Sequence, residues 1–541
     1  MLPTTAGGSS YSVTLASEQG IQRLVMDIAA ALDPGDLVTL SGDLGAGKTT
    51  FARAMIRFLA KNPDIPVPSP TFTLMQTYEL PGFTVVHADL YRLEGPGELA
   101  ELGFDDLPRD AVVLLEWPDR AAGFLPADRL DVAFTLSALA DPEHRNVRVT
   151  GYGKFAQRAE RIPVIRRFLD GTSFAEADRR RIQGDASTRS YERLTLGEHY
   201  AILMNAPRRP DGPPVRDGKP YSQIAHLAED VVPFIAVANG LRQLGYSAPQ
   251  IYEAEIADGL LLIEDLHSDP VVSGDPPVPI PERYAAAVDV LITLHDQKVP
   301  AGVRIAPNVA HRLPVYDREA MMIEAELLLD WYLPHHGMPV TEDMRAVFVE
   351  LWHVALRVVL DSKPTWVLRD YHSPNLIWLP DRKGVARVGL LDFQDAMMGP
   401  AAYDLASLLQ DARVDVPELM EVELLGNYVK QRAAVDPDFE PASFIRIYAT
   451  VAAQRASKIL GIFARLNKRD GKPQYLRHIP RVWGYLQRSL AHPSLEALKD
   501  WYTEHVPVPE APPQPQEFNQ EFSNEAPASD SSTPEPEAGN A

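Results

Sequence analysis

The sequence predicts an α/β chain of two domains, in which a parallel sheet flanked by helices precedes a two-lobed α+β domain. The first observation is the length of 541 residues, since a single hydrophobic core rarely grows past about 250–300 residues. The second is an alternation of strand-like and helix-like segments in the N-terminal part. The third is a β-rich stretch that is followed, after residue 281, by a largely helical pattern.

Strand-like apolar runs alternate with helical spacing in the first domain. These runs are residues 36–40, 84–88, 111–115 and 146–150. Helical spacing at 48–60 follows the first of them, and this order predicts a parallel sheet with helices on its faces. In the second domain the strand-like runs are residues 191–196, 200–205 and 259–265. A small β-rich lobe before a larger helical lobe is the outline of a kinase-like fold.

The predicted domains are residues 1–157, 158–505 and an acidic, Pro-rich tail at 506–541 that we expect to be disordered. Arginines cluster around the first boundary, and they are Arg158, Arg161, Arg166, Arg167, Arg179, Arg180 and Arg181. One interpretation is an RNA-contacting patch. The other, which we favour, is an amphipathic connecting helix with a solvated charged face.

The composition limits the compartment and the partners. The chain has no cysteine, which excludes disulfides, thiolate metal sites and a cysteine nucleophile. Neither a secretory signal nor an apolar run of about 20 residues is present, so we expect a cytoplasmic protein without membrane association. The net charge is −22, and seven acidic residues after His505 account for part of it. Direct binding of a polyanion such as tRNA is therefore not expected.

The segment GDLGAGKT matches the complete G-x-x-x-x-G-K-[ST] motif between a predicted strand and a predicted helix. Its glycines allow backbone N–H groups to surround phosphate oxygens, and the helix adds its positive N-terminal end. The lysine of this motif contacts the β- and γ-phosphates, and the hydroxyl after it ligates Mg²⁺. The predicted ATP-binding residues are Gly42, Asp43, Leu44, Gly45, Ala46, Gly47, Lys48, Thr49 and Thr50.

Three further segments follow in order: SPTF at 69–72, HADLYR at 87–92 and EWP at 116–118. Together with the phosphate loop they resemble the TsaE family over residues 10–155, which implies a P-loop NTPase-like domain. The resemblance implies the following roles: Asp89 and Glu116 with Thr49 at the Mg²⁺, Glu116 also orienting the attacking water, Thr71 sensing the γ-phosphate, and Trp117 beside the nucleotide. Phe72 and Tyr91 are expected to be core or loop packing.

The TsaE resemblance implies a partner-dependent role. In that family the ATPase supports a threonylcarbamoyl-transferase catalytic subunit and its paralogous partner, of the TsaD and TsaB type, in tRNA N6-threonylcarbamoyladenosine modification. It does not transfer the carbamoyl group itself. The tRNA is therefore expected to be an indirect partner, which agrees with the acidic composition.

A second constellation lies in the C-terminal domain. In LRDYHSPN, Asp370 precedes Asn375 by five positions, and Asp392 ends the apolar run GLLD seventeen residues later. Phosphoryl transfer to a hydroxyl needs a carboxylate at the acceptor oxygen and side-chain oxygens on Mg²⁺. We therefore predict Asp370 as the catalytic base, with Asn375 and Asp392 as metal ligands. Asp395 either assists the metal site or caps the next turn.

This arrangement resembles the aminoglycoside-phosphotransferase superfamily over residues 160–495, which implies a protein-kinase-like bilobal fold. The GDASTR segment, with Ser187 and Arg189, corresponds to the phosphate-covering loop, and Glu264 to the hinge that contacts the nucleotide. His295 and Asp404 also fit the family, and we expect them to form fold-stabilising hydrogen bonds.

Two departures leave alternatives open. The family's histidine two residues before the catalytic aspartate is Leu368, and the strand that normally carries an ATP-gripping lysine has none, with Met204 in its place. Phosphate charge must then be met by another cation such as Arg189, or by metal alone. The alternatives are a pseudokinase scaffold and a kinase for an aminoglycoside or other small alcohol.

The GDAS segment followed by Arg and Tyr, the MNAP strand and the late GIFARL and RDGKP segments resemble AmgK-type anomeric sugar kinases. The resemblance implies phosphorylation of the 1-hydroxyl of N-acetylmuramate or N-acetylglucosamine in cell-wall recycling. Residues considered for the sugar pocket are Glu324, Asp330, Trp331 and Tyr332, with helix packing the alternative for the last two. Arg455 and Lys458 are candidate cations for the muramate carboxylate.

Overall fold

A seven-stranded sheet forms the first domain of the computed structural model, which describes residues 8–80, 83–93, 98, 107–121, 123–136, 144–182, 189–208, 210–267, 269–306 and 309–509. Its strands are β1 (Ser9–Leu15), β2 (Leu37–Gly42), β3 (Met75–Leu80), β4 (Phe83–Asp89), β5 (Val112–Glu116), β6 (Arg129–Leu136) and β7 (Arg145–Tyr152). The order across the sheet is β1-β7-β6-β2-β5-β4-β3. The helices are α1 (Glu18–Ala29) and α2 (Lys48–Leu59), with a 3₁₀ turn at Pro118–Ala121.

The predicted parallel sheet is confirmed at its centre, where β6, β2, β5 and β4 run parallel. The outer pairs β1–β7, β6–β7 and β3–β4 are antiparallel. The carboxyl ends of the parallel strands meet at one edge, which brings the phosphate loop after β2 next to the ends of β4 and β5. Val38, Leu40, Phe51 and Met55 are fully buried between this sheet and α2.

A five-stranded antiparallel sheet forms the small lobe of the second domain. Its strands are β8 (Asp178–Ile182), β9 (Ser190–Leu196), β10 (His199–Asn205), β13 (Ile251–Glu255) and β14 (Leu260–Glu264), in the order β13-β14-β10-β9-β8. Between β10 and β13, β11 (Pro214–Arg216) and β12 (Lys219–Pro220) form a separate two-stranded sheet. The helices that accompany them are α3 (Phe155–Asp170), α4 (Tyr221–Ile224) and α5 (Val232–Gln243).

The large lobe is mainly helical, as predicted. Its helices are α6 (Pro281–Asp296), α7 (Arg318–Ala325), α8 (Leu333–His335), α9 (Glu342–Ala355), α10 (Arg357–Leu360), α11 (Ala402–Leu409), α12 (Glu418–Val435), α13 (Pro441–Asp470), α14 (Ile479–Leu490) and α15 (Glu496–His505). Its short strands are β15 (Val272–Ser273), β16 (Val278–Pro279), β17 (Gly302–Ala306), β18 (Val309–Arg312), β19 (Pro364–Val367), β20 (Leu376–Trp378), β21 (Val388–Leu390) and β22 (Met397–Pro400). In the described part of the chain, no helix has the length and apolarity that a membrane span requires.

Helix α3 belongs to both domains, and the predicted boundary at residue 157 lies inside it. Its first half buries Phe155, Ala159 and Ile162 in the core of the first domain. Its second half buries Ile165 and Leu169 against the small-lobe sheet of the second domain. One continuous helix therefore joins the two cores.

Two of the arginines around this helix, Arg158 and Arg179, are engaged by carboxylates across the junction. Arg158 forms a bidentate pair with Asp36, at 2.7 and 2.8 Å. Arg179 is buried, contacts Asp27 of α1 and holds Glu192 through two hydrogen bonds of 2.7 and 3.0 Å. The favoured expectation of a solvated charged face was therefore wrong for these arginines, because the packing of the two domains brings carboxylates opposite them.

Replacing Arg179 by Met is expected to lower the free energy of unfolding by about 3–5 kcal/mol, because it leaves Asp27 and Glu192 buried without their cation. The matched control is Arg180→Met, which removes the same charge from an exposed neighbour on β8 and is expected to change stability by less than about 0.5 kcal/mol. Calorimetric melting of the full chain measures both. Equal melting temperatures of the two variants would contradict the role of Arg179.

Candidate active sites

The phosphate loop lies between β2 and α2, at the carboxyl edge of the sheet. Gly42 has φ 135°, and a Cβ added there would meet the carbonyl oxygen of Phe134 at 2.3 Å. Gly47 caps α2 with φ 111°, in the left-handed region that side chains disfavour. Asp43, Leu44 and Gly45 at the tip of the loop are exposed. The backbone N–H groups of this loop are thus presented to an anion at the N-terminus of a helix.

Lys48 is directed back over the loop that it follows. Its Nζ donates hydrogen bonds to the carbonyl oxygens of Gly42 and Asp43, at 2.7 and 2.9 Å. The same ammonium lies 3.8 Å from the ring centroid of Trp117. Burial lowers the pKa of Lys48, although the neighbouring Glu116 carboxylate opposes this shift. Charged phosphate oxygens accept stronger hydrogen bonds from an ammonium than these two loop carbonyl oxygens do, so the position of Lys48 suits a phosphate ligand.

Glu116 is the hub of the first site. One carboxylate oxygen accepts a hydrogen bond of 2.9 Å from the Thr49 hydroxyl, and the other lies 2.9 Å from Nε2 of His87. His87 is fully buried and fixes the orientation of this carboxylate. We did not assign His87 from the sequence, although its spacing of two from Asp89 places both side chains on one face of β4.

Asp89 and Thr71 form the second wall of this site. Asp89 is the register partner of Glu116 on the adjacent strand. The Thr71 hydroxyl donates to Asp89 Oδ2 at 3.2 Å, and the backbone N–H of Tyr91 donates to Oδ1 at 3.0 Å. The Thr49 hydroxyl and the carboxylates of Asp89 and Glu116 suit Mg²⁺, which takes one or two carboxylates together with waters and substrate phosphates.

Two aromatic residues of this region were expected to be packing residues. Phe72 is 82% exposed and contacts the Arg92 guanidinium, so that expectation was wrong for it. Tyr91 is 43% exposed and packs at 5.1 Å, between ring centroids, on Trp117. Thr50, in the first turn of α2, is also exposed.

In the second domain, Asp370, Asn375 and Asp392 lie close together, and the charge of Asp370 acts on the Asp392 carboxylate. Asn375 Nδ2 donates to the carbonyl oxygen of Asp370 at 2.9 Å and approaches Asp392 Oδ2 at 3.4 Å. Asp392 and Arg369 have φ values of 55° and 72°, so both backbones are in the left-handed region. Such strained positions cluster at catalytic sites, where the surrounding packing maintains them.

The position of Asp392 is fixed by its neighbours in sequence. Phe393 stacks on Phe234 of α5 with centroids 5.0 Å apart, and Gln394 donates to Asp392 Oδ1 at 2.8 Å. Burial, together with the charge of Asp370, raises the pKa of Asp392 to about 6. A carboxylate with its charge disfavoured in this way is stabilised by a cation, and the amide oxygen of Asn375 completes a donor set that fits Mg²⁺.

Two hydrogen bonds to Asp404 support the loop that carries Asp370. Asp404 accepts the backbone N–H groups of Leu368 and Arg369, at 2.6 and 2.8 Å, so its predicted structural role is confirmed. Burial alone would raise the pKa of Asp370, but His372 and the cations Lys458 and Arg369 outweigh it and keep that pKa below its ordinary value. Asp370 is therefore ionised at neutral pH and able to accept a proton.

Other predicted residues have structural partners. Partly buried His295 lies 2.7 Å, through Nδ1, from the Tyr428 hydroxyl, which confirms its structural role. Asp395 accepts the backbone N–H of Ala228 at 2.6 Å, a contact with a distant segment and not the expected cap of the next turn. Glu264 pairs with Arg382 at 2.6 Å, so its side chain is engaged at the hinge. Ser187 lies outside the described residues.

The residues considered for the sugar pocket are partly committed to packing. Glu324 is fully buried, and it contacts Arg369 and pairs with Lys458 at 2.9 Å. Asp330 pairs with Arg345, and buried Tyr332 donates to the carbonyl oxygen of Pro507. Glu324, Asp330 and Tyr332 thus have long-range partners that sequence spacing does not reveal, and for buried Tyr332 the contact favours the alternative of helix packing.

The folds and sites together define a P-loop NTPase domain joined to a kinase-like phosphotransferase domain. Residues 15–146 match the family model of the threonylcarbamoyl adenosine biosynthesis protein TsaE, and residues 178–445 match the phosphotransferase enzyme family. The chain belongs to the TsaE family through its first domain and to the phosphotransferase enzyme family through its second.

Curated relatives match each domain separately. An N-acetylmuramate/N-acetylglucosamine kinase of Caulobacter vibrioides is 37% identical over 364 residues, which cover 65% of this chain and 98% of that protein. Its namesake in Pseudomonas aeruginosa is 34% identical, covering 58% of this chain and 84% of that protein. The tRNA threonylcarbamoyladenosine biosynthesis protein TsaE of Rickettsia conorii is 36% identical, covering 28% of this chain and 85% of that protein.

Proposed function

We propose that the second domain transfers the γ-phosphoryl group of ATP to the 1-hydroxyl of N-acetylmuramate or N-acetylglucosamine, and that the first domain is an ATPase that supports tRNA threonylcarbamoyladenosine modification. The convergence of Asp370, Asn375 and Asp392 carries the kinase assignment. The similarity to the sugar kinases over nearly their whole length supports the choice of acceptor. Both activities use ATP and Mg²⁺, and we place them in the cytoplasm.

In the proposed reaction, Asp370 accepts the proton of the acceptor hydroxyl as its oxygen forms a bond to the γ-phosphorus. The bond from the γ-phosphorus to the bridging oxygen breaks, and ADP leaves with that oxygen. The ionised state of Asp370 suits this role. Asn375 and Asp392 would hold Mg²⁺, which would neutralise the charge of the phosphates. The rigid support of the loop by Asp404 keeps Asp370 at a constant position relative to these two side chains.

The charges near Asp370 separate the sugar acceptor from an aminoglycoside. Helix α13 places Arg455 and Lys458 where their positive charges act on Asp370. Arg455 is mostly buried and donates to the Ser407 hydroxyl at 2.7 Å, while its Nε and Nη1 find no hydrogen-bond partner among the described residues. Cations at this place favour an acceptor with a carboxylate, such as N-acetylmuramate, over a polycationic aminoglycoside.

For the first domain, the exposed apolar side chains around the phosphate loop favour a partner-dependent ATPase. Leu44 lies in the phosphate loop, Phe72 follows Thr71, and Phe124 lies after the 3₁₀ turn at Pro118–Ala121, with exposed fractions of 77%, 82% and 69%. Exposed large apolar groups in such a group mark protein-binding surfaces. We propose that a transferase catalytic subunit and its paralogue, of the TsaD and TsaB type, cover this surface, and that tRNA is contacted only through them.

The kinase proposal is tested by incubating the full chain with Mg²⁺·ATP and single acceptors: N-acetylmuramate, N-acetylglucosamine, glucose and an aminoglycoside. We expect ADP release above background with the first two sugars and none with the aminoglycoside. Because a 1-phosphate removes the reducing end, a reducing-sugar assay is expected to fall in step with ADP formation. If no acceptor raises ADP release, the domain is a pseudokinase scaffold, and if the aminoglycoside alone does, the acceptor assignment is wrong.

A further inference from the structure

The second domain lacks the lysine that contacts the phosphates of ATP in most kinases, so another cation has to take that role. In protein kinases a lysine on the third strand contacts the phosphates and pairs with a glutamate of the next helix. Here the corresponding strand β10 carries neither Lys nor Arg, and α5 carries no acidic residue. Both members of the pair are thus absent together, and Met204 is fully buried where the lysine would lie.

Arg189 approaches this same place from the neighbouring strand. Tyr191 of β9 is the direct cross-strand partner of Met204. Arg189 immediately precedes β9 and shares a side-chain hydrogen bond with Tyr191, which lies on the face of Met204. That face packs on the core that contains Phe393, which follows Asp392. Arg189 therefore lies beside the face of the sheet from which a lysine of β10 would extend.

The contacts of Arg189 are directed at the catalytic centre. Its Nη1 lies 3.6 Å from Oδ1 of Asp392, and its side chain is only 15% exposed. The Tyr191 hydroxyl shares a hydrogen bond with it, and burial raises the pKa of that hydroxyl to about 12. Arg189 thus links the small lobe to the predicted metal carboxylate of the large lobe.

Two other arginines near the small-lobe sheet are engaged elsewhere. Arg193 lies 2.6 Å from Asp265 at the hinge. Arg161 donates to Asn205 and to the carbonyl oxygen of Asp258, at 2.7 Å each, from the opposite side of the sheet. Of these three arginines, Arg189 is the one that contacts Asp392.

We infer that Arg189 replaces the missing lysine and contacts the phosphates of ATP, a role that rests on the proposed kinase function. Asp392 would hold Mg²⁺, which would neutralise its charge, and the Arg189 guanidinium would then be available to the phosphate oxygens. A planar guanidinium offers two parallel N–H donors to a phosphate. These donors allow Arg189 to bind the phosphate oxygens from its position before β9.

The test compares Arg189→Met, Arg189→Lys and the control Arg180→Met in the full chain, through sugar-dependent ADP release at varied ATP concentrations. We expect Arg189→Met to lower kcat/KM for ATP by about 10- to 100-fold, the loss typical of charged hydrogen bonds, with the KM of the sugar little changed. Arg189→Lys is expected to retain part of the kcat/KM for ATP that Arg189→Met loses. Arg180→Met is expected to leave kcat/KM for ATP unchanged. A Met variant that behaves as the Arg180 control overturns the role of Arg189 while leaving the sugar kinase activity established.

If the unaltered chain turns over no sugar, the proposed function fails, and Arg189 is tested by binding instead. The chain with Lys48→Ala, in which the first nucleotide site is disabled, is titrated with Mg²⁺·ATP with and without Arg189→Met. A weaker Kd for ATP in the Met variant, with that for adenosine unchanged, supports the phosphate contact. Equal ATP affinities overturn it.

Discussion

Asp370→Asn is expected to lower sugar-dependent ADP release by about 10²–10⁴-fold, the range over which a positioned general base contributes. The amide has nearly the shape of the carboxylate but cannot accept the hydroxyl proton. Because Asp404 holds this loop through the backbone N–H groups of Leu368 and Arg369, the substitution leaves those hydrogen bonds in place. The loss is therefore expected in kcat, with the KM for ATP little changed.

The matched control is Asp381→Asn, which makes the same chemical change at an exposed position of the same lobe. Steady-state assays of both variants with N-acetylglucosamine, and melting curves to show that each is folded, complete the measurement. Retention of the full sugar-dependent rate by Asp370→Asn would remove Asp370 from the reaction.

Lys48→Ala is expected to remove sugar-independent ATP hydrolysis by the first domain while sugar-dependent ADP release continues. Lys48 donates to two loop carbonyl oxygens and packs on Trp117, and no other lysine occurs in the phosphate loop. Loss of its charged contacts to the β- and γ-phosphates is expected to weaken ATP binding there by about 10²-fold or more. Glu116 and Thr49 remain in hydrogen-bond contact, so the fold of the site is retained.

Lys154→Ala serves as its control, since this lysine at the start of α3 is 87% exposed and lies outside the phosphate loop. The measurement is hydrolysis with and without sugar, in the presence and absence of the transferase subunits. Lys48→Ala and Asp370→Asn are each expected to remove one activity and to leave the other unchanged. A single variant that abolishes both would show instead that the two sites work as one, through the shared helix α3.

Motifs with fixed local spacing were predictable in this chain. The phosphate loop lies between a strand and a helix because the glycines and Lys48 act within one turn of the backbone. Asp370, Asn375 and Asp392 were predictable as a set because a short loop and a buried strand leave their side chains little choice of direction. The two family resemblances supplied the outlines of the two domains, and the matches at 15–146 and 178–445 confirm them.

Residues whose role depends on a distant partner were not predictable. Glu324 was considered for sugar binding, yet Arg369 and Lys458 enclose it from positions 45 and 134 residues away. His87 was overlooked because its partner Glu116 lies on the neighbouring strand β5, 29 residues away in the sequence. In each case the chemistry of the side chain was clear, but its neighbours depend on the packing of separate elements.

The sequence by itself determined that this chain has two nucleotide-dependent sites, because each rests on residues whose geometry is set by nearby covalent spacing. Only the tertiary structure decided that the two domains share a helix and that Asp27, Asp36 and Glu192 engage the arginines at their junction. The physical reason is that an ion pair needs two charges within a few ångströms, and for segments far apart in sequence only the folded packing sets that distance.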